Sequence, residues 1–188
     1  DALSARLKPR ALDAGCAAGY FVEYLKERGW NSEGIEISEA AASAGRKRGL
    51  RITVGDFLTS SEMIPESYDL ITFWASLEHM HDPARVLLRS KELLKPGGRM
   101  ILSTCRYGLL ARMRGKDWRY MNVPEHLYFF SLRGLKRLAS TLGFRVVKSV
   151  TYGSGMTTRK DATPFYNSAK KILDPLVKWT GQGDMMAF

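Results

Sequence analysis

The stretch "ALDAGCAAGYFVEYLKERGW", residues 11–30, decides the fold because it joins an apolar run to an amphipathic run through very small residues. The apolar run has the length of a short buried strand. Phe21, Val22 and Leu25 fall on one face of a helix, and Gly29 marks its end. The stretch therefore predicts a strand that feeds into a helix through a tight turn.

Apolar and amphipathic runs continue to alternate as far as residue 151. This alternation is typical of an α/β fold, in which helices cover the faces of a mostly parallel sheet. The segments predicted as strands are, in chain order, "RALDAG", "SEGIEIS", "LRITVGDF", "YDLITFWA", "RMILSTC", "FRVVKSVTYG" and "GQGDMMAF".

Helix boundaries are predicted from capping residues and breakers. Asp82, followed by Pro83, and Ser131 are each expected to begin a helix. The "KPGG" segment is expected to form a turn before the fifth strand. Residues 154–180 are expected to hold a helix that kinks or ends near Pro175.

Length and cysteine content limit the class of protein. The length of 188 residues predicts a single domain. Cys16 and Cys105 lack the spacing of a disulfide framework, and this absence favours a reducing, cytoplasmic location. No apolar run approaches the roughly 18 residues that span a bilayer. Because the sequence begins with Asp1 and stops at the apolar "DMMAF", we expect it to be a piece of a longer chain.

Basic residues outnumber acidic ones, with 29 Lys and Arg against 19 Asp and Glu, a formal net charge of +10. This excess favours anionic partners, so nucleic acid is a candidate partner. The basic residues are spread through nearly every predicted helix, as solvated helix faces usually are. The charge alone therefore does not identify a partner.

The small residues of the opening stretch are those of a ligand-binding turn. Gly15, Ala17, Ala18 and Gly19 leave the backbone uncovered, so a ligand can approach it closely, and the helix that follows begins with free N–H groups. Small residues also occur where a helix packs closely on a sheet, and this purely structural interpretation stays open.

Acidic residues follow the second and third predicted strands. Glu36 stands where dinucleotide-binding folds place an acid that accepts hydrogen bonds from ribose hydroxyls. Asp56 and the adjacent Phe57 are placed to meet the amino group and flat face of an adenine. Asp56 is equally well interpreted as a cap for the next helix.

The acid before the turn predicts the charge of the ligand. A nicotinamide protein needs G-x-G-x-x-G to bind a pyrophosphate, whereas this chain has D-x-G-x-x-x-G, beginning at Asp13. An anion is disfavoured next to that carboxylate. A ligand with an ammonium group, a ribose and an adenine suits it better, and S-adenosylmethionine (SAM) has these parts.

Six motifs in this order resemble the class I SAM-dependent methyltransferases, and more narrowly the small-molecule branch that includes the ubiquinone-biosynthesis O-methyltransferases. They are "LDAGCAAGYF", "GIEIS", "VGDF", "YDLITFWASLEHMHDP", "LKPGGRMILST" and "PEHLYFFSLRGLKRLASTLGF". The resemblance implies a Rossmann-like sheet of seven strands in the order 3-2-1-4-5-7-6, with only the last strand antiparallel. It also implies SAM as cofactor, S-adenosylhomocysteine (SAH) as product and a small-molecule acceptor, methylated at oxygen.

The resemblance further implies which positions bind the cofactor, all of them directly after one of the first four strands. Asp13, Gly15, Cys16, Ala17 and Gly19 are expected at the methionine part, Glu36 at the ribose, Ile37, Asp56 and Phe57 around the adenine, and Trp74 and Ala75 below the sulfonium.

Two departures from the family pattern qualify these expectations. Ala17 stands where the family usually has glycine. Ala75 and Ser76 stand where some relatives in quinone pathways carry an additional acid before "LEH", which predicts that no metal is bound.

Removal of the acceptor's proton is expected to fall to a histidine, since imidazole titrates near neutral pH. His79, His81 and His126 all lie in segments expected at the carboxyl edge of the sheet. We predict His79 and His126 as candidate catalytic or positioning groups, with capping or packing as the alternative. His81 adjoins the Asp82 cap and is the weaker candidate.

Residues 106–130 are too long for an ordinary connection and are predicted to cover the substrate. Basic and aromatic residues alternate in this segment, which keeps RNA methylation as an alternative function. The "N-P-P-Y"-type signature of many base-amino methyltransferases is absent, because "FWAS" follows the fourth strand. A third alternative is a non-catalytic binding module with the same fold, recognising a partner or an anionic membrane surface.

Overall fold

The computed structural model describes residues 8–153 and 163–188. Within them lie seven strands and six helices. The strands are β1 (Arg10–Ala14), β2 (Asn31–Glu36), β3 (Ile52–Val54), β4 (Tyr68–Trp74), β5 (Leu94–Cys105), β6 (Val150–Tyr152) and β7 (Met185–Ala187). The helices are α1 (Tyr20–Glu27), α2 (Glu39–Arg46), α3 (Pro83–Leu93), α4 (Leu109–Arg114), α5 (Leu132–Thr141) and α6 (Pro164–Trp179).

The strands form one sheet in the order β3-β2-β1-β4-β5-β7-β6. β1 pairs in parallel with both β2 and β4, and β7 pairs antiparallel with β5 and β6. The predicted α/β class, the strand order and the antiparallel last strand are therefore confirmed. In the parallel register Asp13 lies beside Gly34 on one side and Thr72 on the other.

The chain divides into two compact units. The first comprises the described residues up to Ser76 together with Asp82–Leu102, and the second comprises Leu77–His81 and the described residues from Ser103 onward. One core cluster of the first unit contains Cys16, Val22, Ala42, Leu50 and Ile52. A core cluster of the second unit contains Cys105, Ala111 and Trp118.

Both predicted helix caps are present. The Asp82 carboxylate accepts a hydrogen bond from the Arg85 N–H at 3.0 Å, and the Ser131 hydroxyl accepts one from the Gly134 N–H at 3.0 Å. Each bond satisfies one of the N–H groups that a helix leaves free at its start, which stabilises the helix by about 1 kcal/mol.

β5 and β6 differ from the prediction in length, and β3 and β7 are also shorter than the segments predicted for them. β5 begins at Leu94, so the "KPGG" segment lies inside the strand instead of forming a turn before it. A Cβ at Gly98 would lie 3.0 Å from the carbonyl oxygen of Tyr68, and glycine therefore allows the close backbone approach. β6 covers only Val150–Tyr152, the end of the predicted "FRVVKSVTYG" strand.

The predicted helix near the carboxyl end is present. α6 continues through Pro175 to Trp179, so the helix does not end at this proline, and a kink there stays a prediction. Proline has a helical φ and removes one hydrogen bond without forcing the helix to end. The first part of the predicted segment, 154–162, lies outside the described residues. No helix in the described ranges is long and apolar enough to cross a membrane.

Candidate active site

The turn between β1 and α1 presents main chain instead of side chains. Gly15, Ala17 and Gly19 all have left-handed backbone, with φ of 71°, 47° and 79°. A Cβ on Gly15 would lie only 2.6 Å from the Ser76 Cβ, so that position has no room for a side chain. Ala17 keeps a left-handed conformation that ordinarily costs a non-glycine residue free energy, and such residues are concentrated at functional sites.

Replacing Gly15 by alanine is expected to lower the free energy of unfolding by roughly 2–4 kcal/mol, since the left-handed φ and the clash with Ser76 both add cost. Gly49→Ala is the matched control, because Gly49 has a similar φ of 74° and nothing within 4 Å of its Cβ position. The control is expected to lose about 1 kcal/mol in urea unfolding. Equal losses in the two variants would contradict the steric argument.

Glu36 ties this turn to the end of β2. Its Oε2 accepts a hydrogen bond from the Ala17 N–H at 2.8 Å, and its Oε1 accepts one from the Ser38 N–H at 2.9 Å. A carboxylate has about four lone-pair sites, so both oxygens keep capacity for further donors such as ribose hydroxyls. The predicted ribose contact of Glu36 remains a prediction.

Asp13 is a buried carboxyl group at the end of β1. It is 3% exposed, and its Oδ1 accepts a hydrogen bond from the Thr72 hydroxyl at 2.6 Å. Burial raises the pKa of Asp13 to about 7, against its usual 3.8, although the bond from Thr72 opposes the increase. Little of the Asp13 surface is therefore available for direct contact with a ligand, and its predicted role at the methionine part stays a prediction.

Two side chains predicted to bind the cofactor point into the core instead. Cys16 is 6% exposed and packs against Val22, and burial raises the pKa of its thiol to about 12. Phe57 is 5% exposed, with its ring edge-to-face against Phe73 at a centroid distance of 5.5 Å. The Phe57 ring therefore does not offer a face to an adenine, and at both positions only main-chain atoms are left for a ligand.

Asp56 caps a turn and not a helix, so the alternative interpretation of the sequence is right about capping and wrong about the element capped. Its Oδ1 accepts hydrogen bonds from the N–H groups of Leu58 at 2.8 Å and Thr59 at 3.1 Å. The residue is exposed. A contact between its other carboxylate oxygen and a ligand stays a prediction.

Exposed apolar side chains flank the turn in the same unit. Ile37, at the end of β2, is 73% exposed, and Trp74, at the end of β4, is 39% exposed and contacts Phe21 edge-on at 5.0 Å. Ala75 follows with a left-handed φ of 50°. Ile37 and Ala75, which the sequence predicts as cofactor contacts, are thus both exposed and accessible to a ligand.

The second unit brings two of the predicted histidines together. The rings of His79 and His126 lie edge-to-face with centroids 4.8 Å apart. The Nδ1 of His79 lies 2.8 Å from the carbonyl oxygen of Glu125, and the Nδ1 of His126 lies 2.8 Å from that of Tyr120. Because a carbonyl only accepts, each neutral ring carries its proton on Nδ1, and each Nε2 has a free lone pair.

Glu78 adds a carboxylate to this pair. Glu78 is 1% exposed, and its Oε2 has no hydrogen-bond partner among the described residues. Ligand atoms of Glu78, His79 and His126 all lie within 4.8 Å of one another, and in the described part of the chain no other group of this kind is found. Two imidazoles and a carboxylate suit a transition metal, so these residues could hold one. The absence of a metal remains a prediction.

Comparison with known protein families identifies the chain. The family model described as "Methyltransferase domain" matches residues 2–149, which is more than half of the sequence. The chain belongs to the methyltransferase domain family. The resemblance seen in the six sequence motifs is thereby confirmed at the level of the family.

Curated relatives of this methyltransferase domain are named ubiquinone biosynthesis O-methyltransferase. The protein from Pseudomonas aeruginosa is 37% identical over 101 residues, which are 50% of this chain and 44% of the relative. The protein from Aeromonas salmonicida is 30% identical over 150 residues, which are 73% of this chain and 63% of the relative. The chain thus spans less than half the length of the first relative.

A solved structure supports the fold of the methyltransferase domain. A SAM-dependent methyltransferase from Thermotoga maritima has a TM-score of 0.72 and 24% identity, covering 96% of this chain and 80% of that one. At this identity the likeness shows the Rossmann-like methyltransferase fold alone.

Sequence reasoning missed three residues of the methyltransferase domain that support the turn. The Thr72 hydroxyl donates to Asp13, the Ser76 hydroxyl donates to the carbonyl oxygen of Ala14 at 2.8 Å, and the Arg48 guanidinium donates to that of Ala18 at 2.7 Å. The first two contacts depend on which strands are neighbours, and no local pattern signals them. The sequence analysis also did not single out Tyr20, which begins α1 directly after Gly19 and is 73% exposed. An aromatic residue at the start of a helix is a pattern that the sequence does show.

Proposed function

We propose that this chain is part of an enzyme that transfers a methyl group from SAM to an oxygen atom of a small-molecule acceptor. The observation that carries the proposal is the left-handed turn from Gly15 to Gly19, whose uncovered main chain is held by the Glu36 carboxylate. The names of the curated relatives, ubiquinone biosynthesis O-methyltransferase, support oxygen as the target atom.

The residues of the first unit fit the parts of SAM. Gly15 has no space for a Cβ and presents only main chain, which allows close approach of the methionine part. The Asp13 carboxylate favours a ligand with an ammonium group over a phosphate. Glu36 has acceptor capacity for ribose hydroxyls, and Ile37 gives an exposed apolar side chain for the adenine.

SAM supplies a methyl group on a positively charged sulfur, so the protein's main task is alignment. Holding the acceptor oxygen behind the methyl carbon converts a bimolecular displacement into an effectively unimolecular step. Trp74 and Ala75, at the end of β4, are proposed to line the space below the sulfonium.

A hydroxyl acceptor must lose a proton, and the His79 and His126 pair is proposed to remove it. Each Nε2 has a free lone pair because the Nδ1 proton is donated to a backbone carbonyl. The carbonyl bonds also fix the orientation of both rings. Glu125 and Tyr120 thus contribute through their main chain and not through their side chains.

Calorimetry with SAH tests the cofactor part of this proposal. We expect SAH to bind the folded protein and Glu36→Ala to weaken that binding by about tenfold or more, since hydrogen bonds to a charged group are lost and the turn loses its tie to β2. Glu39→Ala is the matched control, because Glu39 is an exposed acid that pairs with Arg46 at 3.6 Å and is not a predicted cofactor contact. Absence of SAH binding by the folded wild type would contradict the proposal.

A further inference from the structure

A cavity of about 410 Å³ in the second unit is lined by three arginines, Arg106, Arg112 and Arg133. Tyr107 and Ser131 also line it, and the lining contains no acidic residue among the described parts of the chain. Three positive charges that share a cavity repel one another unless an anion lies between them. Neither of the paired histidines and none of the predicted cofactor contacts is among the residues that line this cavity.

Arg106 is held in a fixed position at this cavity. Its Nη1 donates to the carbonyl oxygen of Gly183 at 3.0 Å, and its main-chain N–H donates to that of Asp184 at 2.8 Å. A Cβ on Gly108 would lie 2.7 Å from that Nη1, so glycine leaves the space that the guanidinium occupies. The Nε of Arg106 is buried and has no hydrogen-bond partner in the described structure.

The other two arginines are exposed and lack an acidic partner. Neither Arg112 nor Arg133 has a side-chain hydrogen bond or ion pair with any residue that the structure describes. Arg112 and Arg106 line the same cavity, and burial together with the neighbouring charge of Arg112 lowers the pKa of Arg106. The local positive charge is therefore not neutralised within the described chain.

The start of α5 adds to the same potential. Ser131 caps this ten-residue helix, and its hydroxyl satisfies the Gly134 N–H. The N–H groups of Leu132 and Arg133 precede the first possible acceptor within the helix and carry the positive end of its dipole. On its own this is a common feature, and here it reinforces the three guanidinium groups.

We propose that this arginine cavity binds a phosphate or diphosphate group carried by the methyl acceptor. Planar guanidinium forks match the oxygens of a phosphate, and several of them favour a multiply charged oxyanion. Four of the lining residues, including Arg106 and Arg112, belong to residues 106–130, the segment predicted to cover the acceptor. The assignment of the anion to the acceptor rests on the proposed methyl transfer.

Calorimetry with inorganic pyrophosphate as the probe tests the cavity. We expect Arg112→Gln and Arg133→Gln each to weaken pyrophosphate binding by about tenfold, since each removes a charge-assisted contact. Arg137→Gln is the matched control, because it removes the same charge from an exposed position on α5 that does not line the cavity, and it is expected to change binding less than about twofold. Citrate, a polycarboxylate, is expected to bind at least about tenfold more weakly than pyrophosphate.

Equal weakening by Arg137→Gln would overturn the proposal, because the basic surface as a whole would then attract the anion. Citrate binding as tight as pyrophosphate would overturn the phosphate assignment. SAH affinity, measured in parallel, is expected to stay within about twofold in all three variants. If SAH binds and pyrophosphate does not, this inference fails alone, whereas if SAH does not bind, the proposed methyl transfer fails whatever pyrophosphate does.

Discussion

Replacement of His79 or His126 by alanine is expected to lower kcat for methyl transfer by about 10²–10⁴-fold, the usual contribution of a positioned general base. SAH affinity is expected to stay within about twofold, since neither side chain is a predicted cofactor contact. The physical reason is the protonation state of the pair: both Nδ1 atoms donate to carbonyl oxygens at 2.8 Å, which leaves both Nε2 atoms able to accept a proton. The measurement is SAH release with an acceptor found by screening hydroxyl compounds, both with and without a phosphate group.

The two losses are not expected to multiply in the double variant. The rings contact each other at 4.8 Å, and residues in contact usually show coupled effects. His81→Ala is the control, because His81 is an exposed histidine whose main-chain carbonyl accepts from the Tyr128 hydroxyl at 2.9 Å, a contact that the substitution keeps. A tenfold or larger loss in His81→Ala would show that the assay does not report on the pair.

Treatment with a chelator distinguishes a histidine that acts as a general base from one that binds a metal, because an Nε2 lone pair that binds a metal cannot also accept a proton. We expect EDTA to leave the rate unchanged, in line with the sequence prediction that no metal is bound. Loss of activity in EDTA and recovery with zinc would instead assign Glu78, His79 and His126 as ligands and contradict the role as base.

Asp13→Asn is expected to stabilise the protein at pH 8 and to weaken SAH binding about tenfold at the same pH. At pH 8 the wild type holds a charged carboxylate at a site that is 3% exposed. Asparagine keeps an oxygen that accepts from the Thr72 hydroxyl and removes the buried charge. The same substitution removes the negative charge predicted to attract the ligand's ammonium group.

The sign of the pH dependence follows from the raised pKa. A carboxyl that titrates near 7 when folded and near 3.8 when unfolded gives its full stabilisation below about pH 3.8, and this is lost as the pH rises through 7. The difference corresponds to roughly 4 kcal/mol in the free energy of unfolding. Urea unfolding of wild type and Asp13→Asn at pH 4, 6 and 8 is expected to show a gap that widens with pH.

Asp69→Asn is the control with the opposite sign. Hydrogen bonds from Lys95, at 2.7 Å, and from the Arg10 N–H lower the pKa of Asp69, so its stabilisation is present at neutral pH and lost in acid. Burial also raises the pKa of Asp184, which keeps part of the slope in Asp13→Asn. Identical slopes for wild type and Asp13→Asn between pH 4 and 8 would contradict the burial argument.

The parts of the fold that sequence predicted are those with local signals. Asp82 and Ser131 start helices because each has a side-chain acceptor within reach of its own helix, a contact that spans three residues. The alternative that the helix ends at Pro175 is wrong because the consequence of a proline depends on the rest of its helix. Parallel pairing around β1 followed from the alternation of strand and helix patterns.

The candidate site was predictable in its main chain and less so in its side chains. The glycines at 15 and 19 are a local pattern, and both have the left-handed φ that only such residues adopt freely. The direction of the Phe57 ring depends on Phe73 in β4, and the partner of Asp13 is Thr72, which the chain reaches 59 residues later. Such contacts are set by which strands become neighbours.

The two cysteines give this molecule an internal test of local opening. Cys16 is 6% exposed in one compact unit and Cys105 is 1% exposed in the other, and burial raises the pKa of each thiol to about 12. Since a thiolate is the species that reacts with disulfide reagents, neither is modified while its surroundings stay closed. The labelling rate at each sulfur can be followed by peptide mass spectrometry. It therefore reports how often the surroundings of that cysteine open, separately for each compact unit and without an added probe.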